Sequence, residues 1–216
     1  GEVVPVVDVA LLGGRDALAD ARHGVASLAA MLAEQVQQST RAVDFAINET
    51  EAALAADTPA AFAVAAARAE TLRAMAEAAD KRPAIDLIEV FDAHGRKLAT
   101  SRGLPALEPA RDADAAAIAA GRDGRARIGM LRVSEATGEL VVDVAKPVAG
   151  ANGGYIGVVR ALVKPAALVS TYSPISAMAG RSYALFAHSG RVLARYPNGV
   201  SLGAGQALPS ASPCRL

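Results

Sequence analysis

Between Arg15 and Asp57 the larger apolar residues Leu18, Val25, Leu28, Leu32, Val36, Val43, Ile47 and Leu54 recur at separations of 7, 3, 4, 4, 7, 4 and 7. That spacing keeps them on one stripe of a helix. The segment has no proline, one glycine at Gly24, and abundant Ala, Leu, Glu, Gln and Arg, which favour helix. A helix of about 42 residues is about 63 Å long at 1.5 Å per residue, beyond the usual globular length. Two readings fit the stripe: a solvent-laced helix packed along a core, or a dimerising stalk that carries a signal. Thr58-Pro59 then supplies an N-cap and a proline at the first helical position, predicting a second helix from about Pro59 to Asp80, and Pro83 ends the helical region.

After Pro83 the pattern changes to that of strands. Ile85–Phe91 is strand-like, Asp92-Ala-His-Gly95 is a turn and Lys97–Ser101 is the returning strand of a hairpin. Gly103, Pro105 and Pro109 mark residues 102–112 as a loop, and Asp112–Ala120 is a short alanine-rich helix ended by Gly121. Arg125–Val133, Glu139–Val148 and Tyr155–Val163 form a three-strand meander with turns at Ala136–Gly138 and Gly150–Gly154, and Lys164-Pro165 opens a helix to about Tyr172. Hairpin plus meander gives five antiparallel strands in an α+β domain behind long N-terminal helices. No GxGxxG or GxxxxGK motif follows a strand, which sets aside dinucleotide and P-loop chemistry.

The chain also repeats itself. Val90–Ser101 aligns with Leu185–Tyr196, and five of the twelve columns are identical: Phe91/Phe186, Gly95/Gly190, Arg96/Arg191, Leu98/Leu193 and Ala99/Ala194. The second copy reads as the opening hairpin of a second, incomplete module. The expected organisation is an arm over 1–13 near a candidate membrane span, helices over 14–82, a complete module over 83–172 and the start of another over 173–216.

Composition narrows the function. Hydrophobic residues make up 52% of the 216 positions but aromatics only 4%, so the core is built from Ala, Val, Leu and Ile. Lys and Arg balance Asp and Glu at 22 each, without the basic excess of a nucleic-acid binder. A lone Cys214 allows no internal disulfide, and His23, His94 and His188 match no metal-ligand spacing. The chain opens at Gly1 rather than Met and is expected to be a piece of a longer protein. The apolar run Val3–Leu12, interrupted by Pro5 and Asp8, is about half of the roughly 20 residues a membrane span needs, so it is either the outer end of a span or a loose arm.

Leu28-Ala-Ala-Met-Leu-Ala-Glu-Gln35 on the long helix, Ile88-Glu-Val-Phe-Asp-Ala-His-Gly-Arg-Lys-Leu-Ala-Thr-Ser101, Gly154-Tyr-Ile-Gly-Val-Val-Arg-Ala-Leu162 and the hairpin Tyr183–Tyr196 with Pro197 together resemble a bacterial double Cache sensor domain. The resemblance covers about residues 15–200 and specifies fold rather than chemistry. It implies a PAS-like membrane-distal module that binds a small ligand, a membrane-proximal one that often does not, and a periplasmic place in a membrane histidine kinase, diguanylate cyclase or chemoreceptor. It also implies that the ligand lies against the central sheet, beneath the segment joining hairpin to meander.

No nucleophile–base pair or paired carboxylates can be assembled, so no catalytic residue, metal or cofactor is expected. The most informative polar cluster is Arg122, Arg125, Arg127 and Arg132, opposed locally only by Asp123. Arginine's planar fork suits carboxylates, and the cluster suits a carboxylate or amino acid ligand as well as it suits an ordinary solvated face. Arg127 and Arg132 are an odd number apart, so an unbroken strand sends them to opposite faces and only one reaches a pocket unless a bulge intervenes. Grouping with Ile128 and Met130 favours Arg132. Asp143 and Lys146 interrupt an apolar strand and need a partner or solvent. Asp143 suits a ligand amine and Lys146 a carboxylate, or each is salt-bridged. Tyr155 and Arg160 have opposite parities on the last strand, so only one faces a given side, and Tyr155 either closes a pocket or packs. The expected function is a solute-sensing domain, homodimeric through the N-terminal helix; the alternative is a dimerisation scaffold that binds nothing.

Overall fold

The computed structural model describes residues 3–9, 15–104, 112–119, 124, 126–170, 181–187 and 192–196. Arg122, Asp123, Arg125, His188 and Cys214 lie outside them. Two compact units divide the chain, Arg41–Lys164 and Gly1–Thr40 with Pro165–Leu216.

The N-terminal helix α1 spans Arg15–Leu54 and ends where Ala55 takes φ 35°, a left-handed conformation that cannot continue the helix. In the unit Arg41–Lys164, stripe residues Val43, Ile47 and Leu54 are buried. The single helix expected over Pro59–Asp80 is two: α2 (Pro59–Ala66) and α3 (Ala69–Asp80), separated by an extended Arg68. Thr58 caps α2, its hydroxyl accepting from Ala61 N–H at 3.3 Å. The break has a geometric reason. At about 100° per residue, one unbroken helix would send Phe62, Ala65 and Ala66 to nearly the opposite side from Thr71, Met75, Ala78 and Ala79. All seven are buried, so the chain kinks to turn both faces inward.

Five strands follow, β2 (Ile85–Asp92), β3 (Lys97–Thr100), β4 (Arg127–Val133), β5 (Leu140–Ala149) and β6 (Tyr155–Val163), with α4 (Ala113–Ala119) between β3 and β4. They form one antiparallel sheet in the order β3-β2-β6-β5-β4. This is the expected α+β, PAS-like arrangement, with hairpin and meander joined through the pairing of β2 with β6. α2 and α3 pack against β2 on one face. Gly157 makes the close approach possible there, since a Cβ at that position would overlap the Phe62 ring and sit 2.5 Å from the Phe91 carbonyl oxygen. On the other face α4 packs Ala115 and Ala119 against Phe91, Ala145 and Val158.

In the unit comprising Gly1–Thr40 and Pro165–Leu216, the N-terminal run expected to be a loose arm or the end of a span is a strand, β1 (Val3–Val9), pairing antiparallel with β7 (Arg181–Ala187), which pairs with β8 (Val192–Tyr196). Strand pairing satisfies the backbone groups of an apolar, β-branched segment too short to cross a membrane. The helix α5 covers Pro165–Ser170. The repeat seen in sequence is a repeat in register. Val90 faces Ala99 and Phe91 faces Lys97 across one bulge; Leu185 faces Ala194 and Phe186 faces Val192 across another at the aligned position. β1 therefore holds beside β7 the place that β6 holds beside β2.

Candidate functional site

The face of the sheet under α4 carries charge in its interior. β2 brings Glu89, β6 brings Arg160, β5 brings Asp143, β4 brings Arg132 and β3 brings Lys97, while Asp112 reaches in from the residue before α4. Arg160 Nε and Nη2 donate to Glu89 Oε2 at 2.8 and 2.6 Å, and Nη1 donates to Asp112 Oδ2 at 2.5 Å. The guanidinium carbon lies 4.3 Å from the centre of the Phe91 ring, a cation–π contact that covers its face. Lys97 Nζ sits 2.6 Å from the other Glu89 oxygen. Arg132 Nε donates to Asp143 Oδ1 at 2.8 Å, and Asp143 Oδ2 is 3.8 Å from Arg160. Arg160, Arg132 and Lys97 thus balance Glu89, Asp112 and Asp143. Glu89 and Arg160 are each 3% exposed, so charge balance is what makes their burial tolerable. Arg132 Nη2 is a buried nitrogen with no hydrogen-bond partner, its ion-pair contact being Glu89 Oε2 at 3.6 Å.

Local sequence explains how each group is delivered. Asp92 Oδ1 accepts from the backbone N–H groups of His94 and Arg96, closing the turn that returns Lys97 beside Glu89. Asp112 caps α4, its Oδ1 accepting from Ala115 N–H at 2.9 Å, and its own N–H donates to the Gly95 carbonyl at 2.8 Å. Gly95 has φ 78°, and a Cβ there would overlap the Asp112 carbonyl. At Gly129 an added Cβ would meet Asp143 Cβ at 3.0 Å, so the missing side chain leaves Asp143 its room.

The expected site residues divide between the two faces. Asp143 and Arg132 are brought together. The register shift between Ile128 and Leu131 is the bulge that parity alone could not supply: Arg127 pairs with Ala145 and Arg132 with Val141, so β4 presents both arginines on the α4 face, Arg127 in an exposed position. Lys146 is on the opposite face, donating to Glu51 Oε2 at 2.8 Å and Asn48 Oδ1 at 2.9 Å on α1. The neighbour of Ala145, which faces α4, points the other way. Tyr155 is half-buried, its hydroxyl oxygen 2.8 Å from where a Cβ on Gly124 would stand. Sequence reasoning chose none of Glu89, Arg160, Lys97 and Asp112 as site residues, weighing Arg160 only as the residue opposite in parity to Tyr155. The signal for the first two was there: each is a lone charge inside an apolar strand, IDLIEVFD and YIGVVRALV, as Asp143 is inside its own.

The two aspartates titrate in opposite senses. Burial pushes the Asp143 carboxyl up, outweighing the Arg132 hydrogen bond. Burial acts the same way on Asp112, but the Ala115 N–H and the Arg160 guanidinium together hold its carboxyl below the ordinary 3.8. A carboxyl lowered by folding adds stability above its unfolded value and loses it as pH falls through the folded value; one that is raised adds stability below its unfolded value and loses it as pH rises. Asp112→Asn keeps the cap and removes the charge. It is expected to unfold at lower temperature than the parent at neutral pH, with the gap closing as pH falls from about 4 toward 2. A constant gap across that range contradicts the lowered carboxyl.

Comparison with known proteins follows the fold. No family model and no curated protein matches the chain. Among solved structures, the extracellular domain of the candidate histidine kinase rpHK1S-Z16 superposes with TM-score 0.72 at 20% identity, over 90% of this chain and 77% of that one. The ligand-binding domain of the Pseudomonas aeruginosa PAO1 amino acid chemoreceptor PctC, in complex with GABA, gives 0.59 at 17%, over 83% and 77%. That of the Pseudomonas fluorescens chemoreceptor CtaA, in complex with L-serine, gives 0.56 at 19%, over 83% and 73%. The fold is that of extracellular sensor domains. Within this sensor fold the charged face lies under α4, in the segment joining hairpin to meander. Among the described residues, no helix is long and apolar enough to cross a membrane.

Proposed function

We propose that the chain is the extracytoplasmic sensing domain of a membrane signalling receptor, and that its ligand is a small solute carrying both a carboxylate and an ammonium group. The observation that carries this reading is the charge-balanced network beneath α4 with Arg132 Nη2 buried beside it and lacking a hydrogen-bond partner. A solute that is itself neutral overall but doubly charged can re-pair with these groups without leaving net charge buried. The arginines receive its carboxylate and Asp143 its ammonium. The likeness to receptor domains solved with L-serine and GABA supports the same class. This is recognition rather than catalysis, and a solute that favours one arrangement of sheet and helices biases an output elsewhere in the parent protein.

The test is a thermal-shift screen with L-serine, L-alanine, GABA, acetate and neutral polyols. At least one doubly charged solute is expected to raise the melting temperature. Arg132→Met should weaken its binding about 10–100-fold, the worth of a charged hydrogen bond, while Lys146→Met on the opposite face changes it less than about twofold. Stabilisation by polyols alone would overturn the reading. The domain is also proposed to pair through α1, where Ser27, Ala30, Met31 and Ala33 are exposed; a monomer at high concentration in sedimentation would remove that part.

A further inference from the structure

We infer that Asp112 is a resident carboxylate, holding on Arg160 the place that a solute's carboxylate takes, so that solute entry and release of the α4 N-terminus are one event. The inference rests on the receptor reading above and adds its regulation. Among the described charged partners in the network, Asp112 alone comes from outside the sheet; the others stand on five neighbouring strands. It is also the most accessible carboxylate of the network, with 24% side-chain exposure against 4% for Glu89 and 11% for Asp143.

Arg160 has two sides. Nε and Nη2 are both committed to Glu89, and Nη1 is the corner that Asp112 Oδ2 fills. An incoming carboxylate meets Arg160 at that corner and replaces the Asp112 carboxylate there, so Arg160 keeps a carboxylate on each of its two sides. What changes is α4. The other oxygen of Asp112 caps the helix through Ala115, and its backbone N–H ties the helix start to the Gly95 carbonyl of the hairpin turn. Withdrawing Asp112 from Arg160 frees the charged contact that, among the described residues, holds this helix start over the sheet, and the exchange turns occupancy into movement of a surface element.

Asp112→Ser keeps an N-cap hydroxyl and vacates the corner. Acetate is then the probe. Against chloride at equal ionic strength, about 100 mM acetate should raise the melting temperature of the variant by roughly 2–5 °C and that of the parent by less than about 1 °C. An equal response in both proteins, or none in the variant, overturns the inference. If Asp112→Ser does not fold, Asp112→Gly, which an N-cap position tolerates, also vacates the corner, and the same excess over the parent is required of it; no excess overturns the inference. A solute that stabilises the parent while acetate leaves the variant unmoved refutes the resident carboxylate and leaves the receptor reading standing. An acetate response in the variant, with no doubly charged solute stabilising the parent, supports the resident carboxylate and removes the receptor reading.

Discussion

Arg160→Met will be the most damaging single change beneath α4, costing about 3 kcal/mol or more of unfolding free energy. Methionine follows the arginine stem and still packs on Phe91, so the loss is not mainly one of volume. Glu89 loses both hydrogen bonds to the guanidinium and keeps Lys97 at 2.6 Å and the more distant Arg132 Nη2 at 3.6 Å, and the network passes from three cations against three carboxylates to two against three. Breaking one side of a buried pair strands the other charge at a position 3% exposed. Adding Glu89→Gln to the variant removes that stranded charge and should restore more than half of the loss, because Lys97, about a quarter exposed, can turn its ammonium to water. Urea unfolding of the parent, both single variants and the double variant gives the coupling directly. A single variant within about 1 kcal/mol of the parent, or a double variant no better than Arg160→Met, would show that the pair is not the buried electrostatic keystone described here.

Gly95→Ala is expected to be nearly as severe, for a different reason. A non-glycine residue at φ 78° costs about 1–2 kcal/mol by itself. Its Cβ would in addition overlap the Asp112 carbonyl and stand 3.2 Å from Ala116 Cβ. The obstacle is backbone, not the end of a flexible side chain, so the α4 start must lift away from the hairpin turn. Two effects should appear together: a stability loss of about 2–4 kcal/mol and faster amide exchange at Ala115 and Ala116, whose N–H groups Asp112 accepts. Gly138→Ala is the control, since it shares a positive φ of 73° but would meet nothing within 4 Å. Equal losses at the two glycines would mean that conformation alone decides, and that α4 docking on the turn contributes little.

The legible part of this protein is the local part. Strand boundaries at β2, β5 and β6 fall within two residues of those read from alternation and turn composition, because a strand of Val, Ile and Leu between Gly, Asp and Asn turns declares itself within its own window. The repeated hairpin was visible for the same reason, and the structure adds a bulge at the same aligned position in both copies. It also shows what the second copy lacks: Glu89 and Lys97 align with Ala184 and Val192, so the charge pair of the first hairpin has no counterpart there. The kink between α2 and α3 was missed because composition favours one continuous helix, and only the need to bury two opposite faces against the sheet breaks it.

The site was half legible. Asp143 and Arg132 were found as a charge in an apolar strand and as a member of an arginine cluster, and they meet across 11 positions of chain. Glu89 and Arg160 are 71 positions apart and Asp112 and Arg160 are 48 apart, and no local window contains both partners. The amino-acid sequence by itself determined the strands and helices of the unit Arg41–Lys164 apart from the α2–α3 break, where they turn, and that an Ala- and Val-rich α+β core forms, since these follow from periodicity and backbone preference over a few residues. Tertiary structure alone decided the strand order β3-β2-β6-β5-β4, the bulge that puts Arg127 and Arg132 on one face, the assignment of Lys146 to the opposite face, and the meeting of Asp112 with Arg160. The physical reason is that a charge inside an apolar strand announces a need for a partner, while which partner meets that need depends on how the whole sheet is assembled.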